Sequence, residues 1–180
     1  MSARVLLGIG GGIAAYKMAW VASRLVQRGA EVRVAMTPQS REFVGAVTFA
    51  GLTGKPPILS STQIDADGQA PHIEAARWAQ VFAIGPATAD LLSRLAHGAA
   101  ADPVSLLALT CRCPLLVCPA MNDSMWLAPA VQQNVARLRE RGVQFLGPVT
   151  GHLAEGYDAI GRMSEPDSIL ERILALAAAE

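Results

Sequence analysis

Neither sign of charge is in excess in this sequence: 15 Lys and Arg offset 15 Asp and Glu. A chain without a basic surplus lacks the electrostatic footprint that holds nucleic acid or an anionic membrane surface. Aromatic residues make up only 5%, too few for a platform on which nucleic-acid bases stack. No apolar run approaches the ~20 residues of a membrane-spanning helix without Gly, Pro or charge interrupting it. Cysteine is scarce, with only Cys111, Cys113 and Cys118. An odd, clustered set with no signal-peptide pattern ahead of it reads as reduced thiols in a cytoplasmic protein. These cysteines are not expected to bind metal, because no histidine or second pair stands at ligand spacing. Buried, inert thiols are the expectation.

What the sequence does have is apolar residues, 52% of its 180, enough for a core without disulfides. One domain over residues 1–180 is expected. Short apolar runs at Val5–Ile9, Glu31–Met36, Val81–Ile84, Leu115–Cys118 and Val143–Leu146 read as strands. Helical patterns fall at Ile13–Arg28, Pro38–Ala50, His72–Ala79, Thr88–His97, Pro103–Thr110, Pro129–Arg141 and Glu165–Ala178. Gly54–Gly68, with Asp65 and Asp67, reads as a surface excursion, and Gly147–Met163 shows little periodicity. Strands alternating with helices predict an α/β fold, a Rossmann-like or flavodoxin-like doubly wound parallel sheet. Such sheets bind ligands beyond the carboxyl ends of their strands, where strand order reverses.

Gly8-Ile9-Gly10-Gly11-Gly12-Ile13 joins the first strand to the first helix. Glycines there let backbone approach an anion, and the helix N-terminus supplies unpaired N–H groups. A dinucleotide fingerprint would need glycine where Ile13 stands and an acid at the end of the second strand. That strand ends Met36-Thr37, with Ser40 close by, so a mononucleotide phosphate fits better. A glycine turn that only permits close helix–strand packing would look the same.

Three further stretches follow. Pro71-His72-Ile73-Glu74 opens a helix, and histidine is the natural general base near neutral pH; a capping or solvated histidine is the plainer reading of that residue alone. Gly85-Pro86-Ala87-Thr88-Ala89-Asp90 follows a strand with small residues and a hydroxyl, suited to a flat cofactor or simply to a turn capped by Thr88. Pro119-Ala120-Met121-Asn122-Asp123-Ser124-Met125-Trp126 offers in Asn122 donors and an acceptor for a carboxylate or amide. Its apolar residues would otherwise be core.

Taken in order, Gly-Gly-Ile-Ala-Ala-Tyr-Lys, His-Ile-Glu, Pro-Ala-Thr-Ala, Pro-Ala-Met-Asn-x-x-Met-Trp and Gly-Arg-Met resemble the homo-oligomeric flavin-containing cysteine decarboxylases. Within them the nearest look is to phosphopantothenoylcysteine decarboxylases of coenzyme A synthesis. The resemblance runs over essentially the whole chain, without the synthetase domain fused to many bacterial members. It implies FMN held between subunits of a homotrimer, often within a homododecamer. The FMN phosphate would meet Gly11, Gly12, Ile13, Thr37 and Ser40, with Pro86, Ala87, Thr88, Ala89 and Met121 lining the cofactor. His72 would be the catalytic base. Asn122 and Met125 would hold the substrate carboxylate, with Gly156, Arg162 and Met163 also on the substrate side.

The implied chemistry has a physical logic. A saturated acid does not lose CO2 readily, because the resulting carbanion has no electron sink. Oxidising the cysteine side chain to a thioaldehyde provides one, with FMN accepting the hydride. The resulting ene-thiol is then either reduced or released. In the phosphopantothenoylcysteine enzymes a late-loop cysteine serves the reduction, and here Glu155 stands in its place. A carboxylic acid with a burial-raised pKa would still donate that proton. Otherwise the product is an ene-thiol, as in peptidyl-cysteine decarboxylases of modified-peptide pathways. Asp90 stands where the family commonly has Asn. Some relatives are non-catalytic phosphatase-binding subunits that can lack the histidine; His72 and Asn122 together speak against that role.

Overall fold

Val5, Leu7 and Ile9 of the first strand, β1 (Arg4–Ile9), pack into one apolar cluster, while Leu6 packs into another on the opposite side. This alternation, with both faces buried, is what a continuous apolar run demands. The computed structural model describes residues 2–65 and 68–179. Of the expected surface excursion, Asp67 and its neighbour Ala66 lie outside the described residues.

The chain continues through α1 (Ala15–Gln27), β2 (Glu31–Met36), a single 3-10 turn at Gln39–Glu42 and α2 (Ala46–Thr53). Next come α3 (Pro71–Trp78), β3 (Val81–Ala87), α4 (Ala89–His97), α5 (Pro103–Thr110) and β4 (Leu115–Pro119). The last third holds α6 (Asp123–Leu127), α7 (Pro129–Glu140), β5 (Gln144–Phe145), β6 (Val149–His152), β7 (Asp158–Arg162) and α8 (Pro166–Ala177). The central sheet has the order β2-β1-β3-β4-β5, all pairs parallel. This is the flavodoxin-like doubly wound arrangement expected from the sequence, with its switch point between β1 and β3.

Helices α1, α2 and α8 cover one face, and α3, α4, α5 and α7 cover the other. Phe49, Met18 and Ile173 fill the first layer, and Phe82, Leu92 and Leu107 the second, all fully buried. Each such side chain contributes about 1.5–3 kcal/mol relative to exposure.

Four expectations need correction. The helix expected at Pro38–Ala50 is broken, because Ser40 turns inward to bond Thr37 and Gly45 adopts an extended conformation that starts α2 afresh. Strand β3 does not stop at Ile84 but runs through a cis Gly85–Pro86 peptide to Ala87, with an irregular register against β4. The segment after β5 is not irregular: β6 and β7 form an antiparallel hairpin. Finally, only Cys118 is buried; Cys111 and Cys113 are half-exposed, because they lie in the loop ahead of β4 rather than within it.

Candidate functional site

Beyond the carboxyl ends of β1 and β3, the glycine loop is wedged between two walls. A Cβ on Gly10 would stand 2.0 Å from the Pro86 carbonyl oxygen, and one on Gly11 would stand 2.5 Å from Cβ of Gln39. One on Gly12 would lie 3.3 Å from Cγ of Pro86. The sequence has glycine here because no other residue allows the loop, the Gln39–Ser40 turn and the Gly85–Pro86 bend to meet. Helix α1 then begins with no side-chain cap and no acid in its first turn, leaving its N-terminal dipole available to an anion.

Next to this loop lies a cavity of about 500 Å³. Gly12, Ile13 and Thr88 form one side of it. Met121, Asn122 and Met125 form another, and Glu155, Arg162 and Met163 a third. The fold thus gathers nine of the expected site residues from five separate segments. Ile13 leaves its side chain 67% exposed beside the cavity, and its neighbour Tyr16 is exposed as well.

Asn122 is held firmly. Its Oδ1 accepts from the backbone N–H of Ser124 at 2.9 Å, making it the N-cap of α6. Its Nδ2 donates to Glu155 Oε1 and to Tyr157 Oη, each at 3.0 Å. The Tyr157 hydroxyl donates in turn to Asp123 Oδ1 at 2.7 Å, and this contact with a carboxylate pushes the phenol pKa up. The hairpin is seated here because Gly161, at φ +140°, brings backbone against backbone: Met121 N–H donates to Gly161 O at 3.1 Å.

Other expected residues sit outside the cavity wall. Thr37 and Ser40 are buried and satisfy one another, Ser40 Oγ donating to the Thr37 carbonyl at 2.8 Å. They meet the glycine loop through backbone, since the Ser40 nitrogen lies 3.2 Å from a Cβ placed on Gly11. Pro86 and Ala87 are buried in β3 behind the loop, and Ala89 opens α4. Gly156 is exposed at the hairpin tip. Glu155 is exposed too, so its own chain does not supply the burial that a proton-donor role would need. Asp90 forms an ion pair with Arg94 at 2.7 Å.

His72 does not line this cavity in its own chain. It stands in the first turn of α3, and its Nδ1 is buried without a hydrogen-bond partner among the described residues. Native structures seldom leave such a nitrogen unsatisfied.

Lys17 is a site residue with no role assigned from the sequence. It lines the cavity, is 5% exposed, and donates from Nζ to the Met163 carbonyl at 3.1 Å. Burial lowers its pKa, opposed by Glu165 at 3.5 Å. The signal was present: Lys17 falls on the helical stripe with Ala14, Met18 and Val21, where a charge is out of place. His152 also lines the cavity and pairs with Asp158 at 3.2 Å. Among the described residues, no three His, Cys, Asp or Glu side chains cluster to hold a metal ion.

A family model described as Flavoprotein matches residues 1–178. The coenzyme A biosynthesis bifunctional protein CoaBC of Vibrio vulnificus (strain YJ016) is 44% identical over 163 residues, which are 91% of this chain and 41% of that protein. The chain therefore spans about two fifths of the length of the curated relatives it matches. Among solved structures, the FMN-dependent cysteine decarboxylase SpaF is similar with a TM-score of 0.84 and 32% identity, over 98% of this chain and 97% of that one. A cysteine-to-serine mutant of PPC decarboxylase, complexed with pantothenoylaminoethenethiol, is similar with a TM-score of 0.87 and 28% identity, over 97% and 98%.

Proposed function

The chain belongs to the Flavoprotein family, and on that premise we propose that it is an FMN-dependent decarboxylase of the phosphopantothenoylcysteine type, acting in coenzyme A synthesis. The carrying observation is the cavity at the β1/β3 switch point, where the glycine loop and the Asn122 amide face one space. The loop and the open start of α1 suit the FMN phosphate through Gly11, Gly12 and Ile13, with the Thr37–Ser40 turn behind. Thr88 and Met121 on the cavity wall suit the flat part of the cofactor, with Pro86, Ala87 and Ala89 backing them. FMN supplies a hydride acceptor for the cysteine side chain.

Protein groups supply position and proton control. Asn122 orients the substrate carboxylate, with Met125 as an apolar wall. Lys17 and Arg162 give the same cavity positive charge. His72 assists removal of the thiol proton. Because His72 is absent from the cavity of its own chain, the site is completed across a subunit boundary, one copy lending His72 to another. The Nδ1 of His72, unpaired among the described residues, and the exposed Ile13 and Tyr16 support a trimer or an assembly of trimers. A cytoplasmic setting suits the pathway.

A second reading rests on Glu155. The neighbour complexed with an aminoethenethiol is a cysteine-to-serine mutant, and by the family resemblance Glu155 stands where the phosphopantothenoylcysteine enzymes carry a cysteine. The ene-thiol would then be released, as from a peptide ending in cysteine. Anaerobic mixing of the FMN-loaded protein with phosphopantothenoylcysteine, or with such a peptide, separates the readings. Decarboxylation with the flavin left oxidised supports the first. Bleached flavin and a product lighter by CO2 and two hydrogens supports the second. FMN bound without turnover of either overturns both. His72→Asn should abolish turnover while FMN remains bound.

A further inference from the structure

All the hydrogen-bonding capacity of the Asn122 amide nitrogen is in use within the chain. One N–H goes to Tyr157 Oη and the other to Glu155 Oε1, both at 3.0 Å, while Oδ1 is committed to Ser124. A substrate carboxylate that is to be held by Asn122 must therefore displace one of these partners. Tyr157 is the harder to remove, because its hydroxyl is also tied to Asp123 at 2.7 Å. Glu155 has no second partner among the described contacts. It is exposed on the turn Leu153–Tyr157, whose base is closed by the Leu153 N–H to Tyr157 carbonyl bond at 2.9 Å. Next to it Gly156, at φ +93°, has open space around it. Glu155 also carries the same chemical group as the incoming ligand.

We propose that Glu155 is an internal stand-in for the substrate carboxylate, latching the hairpin tip to Asn122 in the free enzyme and yielding that position to substrate. This rests on the decarboxylase reading and extends it to product release. Substrate carries the group that competes with Glu155. Loss of CO2 destroys that group, so the product no longer has anything with which to hold Asn122. Glu155 then returns and closes the latch, and the product is expelled. The device discriminates acid from decarboxylated product by one exchange of carboxylates, without a large movement, since Tyr157 and Asp123 keep the hairpin attached throughout.

The test uses FMN-loaded protein and phosphopantothenoylserine, whose hydroxyl replaces the oxidisable thiol, with binding followed by the flavin absorbance change. A competitor that occupies the site in the free protein lowers apparent affinity by the fraction of molecules left open. Glu155→Ala should therefore bind the analogue about three- to tenfold tighter than wild type. Glu155→Gln, neutral but still an acceptor, should fall between. Phosphopantetheine, the decarboxylated product, should inhibit Glu155→Ala more strongly than wild type. Unchanged or weaker binding in Glu155→Ala, with wild type turning over phosphopantothenoylcysteine, overturns the latch alone. Failure of wild type to bind the analogue or turn over the substrate overturns the decarboxylase reading and the latch with it. Retained FMN in each variant shows that the site is intact.

Discussion

Lys17 Nζ, on α1, lies 3.1 Å from the carbonyl oxygen of Met163, at the foot of the β6–β7 hairpin. This single bond ties the helix that follows the glycine loop to the segment that carries Glu155, Arg162 and Met163. It also places a buried cation at the cavity wall, with the Glu165 carboxylate 3.5 Å away.

Lys17→Met should leave the Met163 carbonyl without its partner and destabilise the protein by about 1–3 kcal/mol, measured by denaturant unfolding. The pH dependence has a defined sign. Burial lowers the folded-state pKa of Lys17 below its usual 10.5, so between those two values the unfolded chain binds the extra proton. Over that window the Lys17 contribution raises stability as pH rises. Lys17→Met should remove that slope, and unchanged slopes in wild type and variant would contradict the assignment.

Gly10→Ala should disrupt the glycine loop, because its Cβ would meet the Pro86 carbonyl oxygen at 2.0 Å. Backbone on both sides must shift, and any phosphate cradle shifts with it. The expected result is a colourless or weakly yellow protein, checked by flavin absorbance after purification. Gly51→Ala, on α2 with nothing within 4 Å of the added Cβ, is the control and should keep wild-type colour.

Asp102 is 1% exposed, caps α5 through the N–H groups of Val104 and Ser105, and pairs with Arg94 at 3.0 Å. Asp102→Ala removes the cap and one of the two carboxylates on Arg94, the other being Asp90 at 2.7 Å, a loss of about 1–3 kcal/mol. The drop in denaturant midpoint measures it. A loss under 1 kcal/mol would mean that the pair is not formed in solution.

Burial pushes the Cys118 thiol pKa up to about 12. It should resist iodoacetamide at pH 8 in the native protein and react once unfolded, as mass spectrometry would record. Contact with Cys113 and burial likewise push Cys111 up, so native labelling there should be slow as well.

Local pattern made most of the fold readable. Apolar runs bounded by glycine or proline marked all five strands of the parallel sheet. Pro103 at the head of an apolar pattern marked the start of α5, because proline is favoured in a helix's first turn. The candidate site was legible only in part, as motifs in order: the glycine loop, His72, Asn122 and the late Gly-Arg-Met. The hairpin β6–β7 was not, since its short strands carry glycines and exposed residues, and only contact with Met121 and Asn122 gives them a surface to lie on. Lys17 was visible as a charge on an apolar stripe, but its partner, a carbonyl 146 residues away, was not.

By itself the sequence determined the parallel sheet, the glycine loop at its switch point and the residue types available for chemistry, because these follow from short-range periodicity and backbone freedom. Tertiary structure alone decided which of those residues meet. It put Glu155 on the Asn122 amide, brought Lys17 into the cavity wall and left His72 outside the cavity of its own chain. Such meetings depend on contacts between distant segments, and no local pattern encodes them.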